Sequence, residues 1–140
     1  MKLSTLIEAI GLGAAREAKL LVARLPDPGM IVATSEDTIA RALARARHER
    51  VALSGAGHAA AALGLELPAE GEGLARVEQL CASTRDGGVV IVCESQPLGG
   101  SLERARTAGL FLRAGLVELQ QESAVGTVFT TGRVRRRAVD

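Results

Sequence analysis

Tryptophan and tyrosine are absent from the 140 residues, and Phe111 and Phe129 are the only aromatic side chains. That absence removes the stacking platforms on which single-stranded nucleic acid is usually held. It also leaves Ala, Leu and Val to fill the interior, which suits a parallel sheet covered by helices. Cysteine is scarce too. Cys81 and Cys93 each fall in an apolar run and form no CxxC spacing, so no metal or cluster site is expected. Two buried free thiols in a reducing compartment are the expectation. No excess of charge exists either: 17 Lys and Arg oppose 16 Asp and Glu, a net charge of +1. Such a balance provides no general field for nucleic acid or an anionic membrane, and neither is an expected partner. Glu and Arg interrupt every apolar run, so no membrane span is expected. Met1-Lys2-Leu3 leads into no signal-peptide core, and the expected location is cytoplasmic.

What is present is aliphatic and patterned. Apolar residues make up 47% of the chain, enough for one domain with a real core. Residues 1–134 read as that domain. Residues 135–140 read as a basic tail, with Arg133, Arg135, Arg136 and Arg137 clustered and solvated. Ser4 to Ile10 has helical spacing, and Gly11-Leu12-Gly13 interrupts it. Ala14 to Arg24 continues as a helix, or Lys19 to Arg24 forms a strand; periodicity alone leaves both open. Pro26-Asp27-Pro28-Gly29 is a firm turn. Met30 to Thr34 reads as a strand and Val51 to Ser54 as the next. Between them lies a helix capped by Ser35, with Ile39, Leu43 and Ala46 inward. Gly55 to Gly71 reads as a long, loose connection with room for a short helix at His58 to Leu63.

Leu74, Val77, Leu80 and Cys81 mark the inner face of a helix over Gly73 to Thr84. Asp86-Gly87-Gly88 ends it with residues that tolerate positive φ. Val89 to Glu94 shows no alternation, as expected for a central strand buried on both faces. A helix starting at Ser101 follows, with Leu102, Ala105, Gly109 and Leu112 inward. Leu116 to Glu122 and Thr127 to Val134 form a C-terminal hairpin.

The candidate chemistry is sparse. Gly55-Ala56-Gly57-His58-Ala59-Ala60 matches G-x-G-x-x-A after a strand, the form in which backbone N–H groups can approach a phosphate. It does not follow the first strand of its unit, and no acidic residue ends a strand about 20 positions later. Gly11-Leu12-Gly13 follows a helical run and is weaker. His48 lies among arginines on a solvated face. His58 lies near the sheet edge where ligands bind, yet no serine, cysteine or carboxylate partners it, so a surface role is the simpler reading. Glu94 and Ser54 end neighbouring strands, the usual rim for ligand-facing residues, and a structural role suits both. No catalytic residue is assigned.

Strands alternating with helices imply right-handed crossovers and a parallel sheet. The hairpin makes one edge antiparallel. The expected class is therefore α/β: a Rossmann-like, methyltransferase-type sheet, mostly parallel, truncated or degenerate in its N-terminal half. Val51-Ala52-Leu53-Ser54-Gly55, Leu74 to Leu80, Gly87 to Glu94 and Ala108 to Gln121 together resemble the N-terminal domain of the anamorsin family, over roughly residues 30 to 132. That resemblance implies a non-catalytic, methyltransferase-like interaction module in cytosolic iron–sulfur protein assembly. It implies a flavin-containing reductase as partner and no cofactor in this chain, because the family's cluster-binding cysteines match nothing here. The alternative is a small S-adenosylmethionine-dependent methyltransferase or a fragment of one. Ser54, Gly55, Gly57, His58 and Glu94 would then be its cofactor-site candidates.

Overall fold

The computed structural model describes residues 15–69, 71–95, 101–124 and 126–136. Residues 15–23 are helical (α1), which decides between the helix and the strand left open by periodicity. Then follow β1 (Ile31–Ala33), α2 (Asp37–Arg45), β2 (Glu49–Val51), β3 (Ala59–Leu65) and α3 (Gly71–Ser83). β4 (Thr84–Ser95), α4 (Ser101–Arg113), β5 (Val117–Ala124) and β6 (Thr127–Arg133) complete the order. The expectations for Ser4 to Ile10 and for Gly11-Leu12-Gly13 lie outside the described residues.

The six strands form one sheet in the order β2-β1-β3-β4-β6-β5. β1 to β4 are mutually parallel, and the β5–β6 hairpin adds an antiparallel edge through β6. The expected class is therefore the observed one. The chain moves outward from β1 to β2, then returns past β1 to β3 and proceeds the other way. A right-handed crossover that reverses direction must change faces. Accordingly α1 and α2 cover one face, packing Leu21, Ile39 and Leu43 on Val32, Leu63, Ile91 and Phe129. α3 and α4 cover the other, packing Val77, Leu80 and Phe111 on Ala62, Val90 and Val92. Each of the two phenylalanines thus fills one layer.

Several elements differ from expectation, each for a physical reason. Ala59–Leu65 is an interior strand, not a loose connection or a helix. Its Ala-rich sequence lacks the branched residues that mark strands. Helices pack close above it, so small residues are what fits: a Cβ on Gly64 would sit 3.4 Å from Leu80 Cδ1. β2 is a short, half-exposed edge ending at Val51, not a buried strand running to Ser54. Charged residues on a short edge discourage pairing with other chains. Ser35 does not cap α2. The N-cap is Glu36, without a side-chain cap bond, and Ala42 replaces the exposed Ala46 in the buried stripe. Among the described side chains of α4 the buried ones are Thr107, Leu110 and Phe111, while Leu112 is 63% exposed. The inward stripe is turned by one to two residues from the one expected.

Asp86-Gly87-Gly88 is a bulge inside β4 and not a turn before it. Thr84 pairs with Ala59 and Val89 with Ala61, so five steps along β4 face two along β3. Gly87 takes φ +81 there. Arg133 and Arg136 are not a frayed tail. Arg133 Nη1 donates to Gly87 O at 2.6 Å. Arg136 donates to Cys81 O at 3.1 Å and Thr84 O at 2.8 Å, and its own N–H donates to Asp86 Oδ1 at 2.8 Å. A guanidinium on the Cys81 carbonyl near the end of α3 and on the Thr84 carbonyl just after it satisfies groups that the helix itself cannot, and it complements the helix dipole.

The bulge makes a sharp demand at Gly88. A Cβ there would collide with Thr84 and lie 2.8 Å from the Ala60 carbonyl oxygen. Gly88→Ala is expected to cost about 2 kcal/mol, by overpacking. Gly71→Ala, where a Cβ meets nothing within 4 Å, is expected to leave stability unchanged or slightly raised. Urea denaturation of both variants checks the contrast.

Candidate functional site

Reversal of strand order between β1 and β3 sets a topological switch point at the C-terminal ends of those strands, the crevice position of such sheets. In open α/β sheets that is the position where ligands bind. One wall is the β1–α2 turn, Thr34-Ser35-Glu36. Thr34 is buried, its Oγ1 accepting from the Glu36 N–H at 3.2 Å while its carbonyl accepts twice from Arg50. From α3, Arg76 reaches this turn, donating to Ser35 Oγ at 3.4 Å and standing 3.9 Å from Glu36 Oε1. The other wall begins at Glu66, directly after β3. Its N–H donates to Cys93 O at 3.0 Å, prolonging the ladder. Its φ of +46 is uncommon for a residue with a side chain. Its Oε1 accepts from the Ser95 N–H at 2.6 Å.

Beside it, Glu94 is half-buried at the end of β4 and accepts from Thr107 Oγ1 at 2.5 Å. Glu17 of α1 accepts from Ser95 Oγ at 3.0 Å. Three carboxylates therefore gather on one rim. Burial raises the Glu94 pKa above 4.5, with Glu66 adding to the rise and the Thr107 hydroxyl opposing it. Cys93, underneath, is pushed up to about 12, by burial first and then by Glu17, Glu66 and Glu94. Cys81 is pushed up to about 11, chiefly by burial. Thiols held protonated in this way are poor nucleophiles.

The five residues singled out from sequence are divided between opposite ends of the sheet. Glu94 lies on the rim. Ser54, Gly55, Gly57 and His58 belong to the segment that descends from β2 to the start of β3. The Ser54 N–H donates to Ser83 Oγ at 2.8 Å, at the C-terminal end of α3. His58 immediately precedes β3 and is exposed. From there to the rim is the length of β3, six residue steps or roughly 20 Å. The G-x-G-x-x-A run thus leads into a strand rather than out of one, and its glycines face no helix N-terminus. Sequence reasoning missed Glu66, Arg76 and Thr107. Only the assignment of β3 as a strand could have found Glu66. Among the described residues no group of three or more His, Cys, Asp or Glu is placed to hold a metal ion. No described helix is long and apolar enough to cross a membrane.

No protein-family model matches the chain, and no curated protein matches it in sequence. Solved structures do match. An O-methyltransferase family protein from Burkholderia thailandensis superposes with a TM-score of 0.62 at 11% identity, over 86% of this chain and 56% of that one. The chain thus spans little more than half of that relative. The 1,6-didemethyltoxoflavin-N1-methyltransferase of the same organism, solved with its substrate and S-adenosylhomocysteine, gives 0.62 at 16% identity, over 88% and 79%. A chain from the Haloferax volcanii complex of a methyltransferase with its activator Trm112 gives 0.61 at 12% identity, over 92% and 93%. The fold is the Rossmann-like methyltransferase fold. The expectation that the chain is not an enzyme is corrected by these matches, which are to S-adenosylmethionine-dependent methyltransferases. They do not bear on iron–sulfur assembly or on a reductase partner.

Glu94 supplies a test by pH. A raised folded-state pKa means that the folded chain holds this proton more tightly than the unfolded one. Stability contributed by the protonated form is complete below 4.5 and is lost as pH rises through the folded pKa. Glu94→Gln removes that loss, so denaturation midpoints of variant and parent should converge near pH 4 and separate towards pH 7, the variant higher. Thr107→Val should raise the Glu94 pKa further, as read by NMR titration.

Proposed function

We propose that the chain is an S-adenosylmethionine-dependent methyltransferase, or the cofactor-binding part of one. The observation that carries this reading is the crevice between β1 and β3, with Arg76 on one wall and Glu66 and Glu94 on the other. The residues present fit the charged end of the cofactor. Arg76 would take its carboxylate, and Glu66 would take its ammonium. The β2 end bears Ala52 and Leu53 in place of a carboxylate, so a ribose diol would be met by backbone groups. When bound, the cofactor supplies a sulfonium methyl group, whose bonding electrons stay with sulfur as a nucleophile's lone pair takes the methyl.

Three things fall to the chain itself. Glu66, in its left-handed conformation, fixes an acceptor at the crevice mouth. Glu94, with its raised pKa, is the rim group suited to take a proton from an attacking hydroxyl or amine. The negative rim favours a cationic ligand over a neutral one. A protein partner also belongs to this reading, since one relative of the same fold is held by an activator protein.

Calorimetric titration with S-adenosylmethionine and S-adenosylhomocysteine is the test. Micromolar binding is expected, weakened about tenfold by Arg76→Ala and by Glu66→Gln, the worth of one charge-assisted hydrogen bond each. No heat at millimolar ligand would sink the proposal.

A further inference from the structure

At the opposite end of the sheet from the crevice, a cavity of about 300 Å³ opens between the α1–β1 turn, the β4 bulge and the β5–β6 ribbon. The apolar part of its floor is made by Met30, Ala60, Val89 and Ile91, with the polar side chains of Gln120 and Thr131 beside them. Charged side chains surround its mouth, and most are already matched. Arg24 pairs with Glu122 and lies 4.4 Å above the Phe129 ring. Arg133 pairs with Glu118 at 2.7 Å and with the Gly87 carbonyl. Two are left. Arg85 and Asp27 line the cavity, and neither has a hydrogen bond or ion pair among the described residues. Both are exposed at the mouth. Arg85 stands there because the bulge inserts extra residues in β4 where β3 has none, the usual way in which a bulge re-aims a side chain.

We propose that this cavity binds a free apolar α-amino acid, its carboxylate on Arg85, its ammonium on Asp27 and its side chain on the floor. The unmatched charges select the class. A simple carboxylate would meet Asp27 as a like charge, and a simple amine would meet Arg85 as one. A molecule carrying both signs at one end and a hydrocarbon at the other finds each surface matched. A volume of about 300 Å³ is at the small end of ligand pockets, which suits an amino acid. The site is separate from the crevice, so it stands or falls independently of cofactor binding.

The test is calorimetric titration of the whole chain with L-leucine, beside 4-methylpentanoate, 3-methylbutylamine and glycine. Saturable leucine binding is expected, tighter than that of any of the three controls. Arg85→Gln and Asp27→Asn should each weaken it about tenfold. Both side chains are exposed, and circular dichroism confirms that each variant is folded. In the unsubstituted chain, leucine should shift the NMR amide signals of Asp27, Gly29 and Met30 and of Arg85 to Val89. Absence of saturation, shifts confined to other residues, unchanged binding by both folded variants, or 4-methylpentanoate binding as tightly as leucine would each overturn the proposal.

Discussion

The pairing of β3 with β4 is the contact on which everything else is built. Five consecutive residues, Ala61 to Leu65, run parallel to Val89 to Cys93 in unbroken register. One strand is mostly small and the other mostly branched. Small residues let the helices of both faces approach the sheet, and branched ones fill the space that remains. With no tryptophan or tyrosine to span gaps, close approach is the only route to a filled interior. Phe111 and Phe129, both buried, complete the two layers from opposite faces, beside the hairpin.

That same pairing creates the crevice. Because β4 extends past the end of β3, Glu66, Glu94 and Ser95 meet just beyond the last shared rung. Burial, which stabilises the apolar rungs below, penalises charge here. Glu94 and Cys93 are neighbours in sequence and experience one environment. Its effect is to hold protons on both, on the thiol at all ordinary pH and on the carboxyl over a wider range than usual. The feature that defines the site electrically is thus a consequence of the feature that defines the core.

Elements with strong local signals were legible in the sequence, and elements shaped by neighbours were not. Val89 to Cys93 declares itself by a run of branched residues, and α3 by the spacing of Val77 and Leu80. The hairpin is marked by its turn. Ala59 to Leu65 carries no such mark, because its residues suit in size the helices packed against the sheet, which the strand's own sequence does not show. Missing that strand moved the apparent rim. With β3 read as a connection, His58 and Gly57 stood where ligands bind. With β3 in place they stand at the other end, and Glu66 takes the position. Glu94 was found because it ends a strand whose signal is local. Arg133 and Arg136 were misjudged for a related reason. Composition shows their charge, but only the fold shows the carbonyls of Cys81, Thr84 and Gly87 that hold them.

Helix α1 is held to the sheet by a polar contact near each of its own ends. Near its start Glu17 receives the Ser95 hydroxyl, and just past its end Arg24 lies on Glu122 and on Phe129, the cross-strand neighbour of Cys93. An α-helix is stiff along its axis, and the seven residue steps from Glu17 to Arg24 span about 10 Å. A rod pinned at both ends cannot slide without releasing one of its pins. Because Phe129 pairs with Cys93, the two pins fix α1 over the last residues of β4, Cys93 to Ser95, and hold Leu21 in the layer that Phe129 fills.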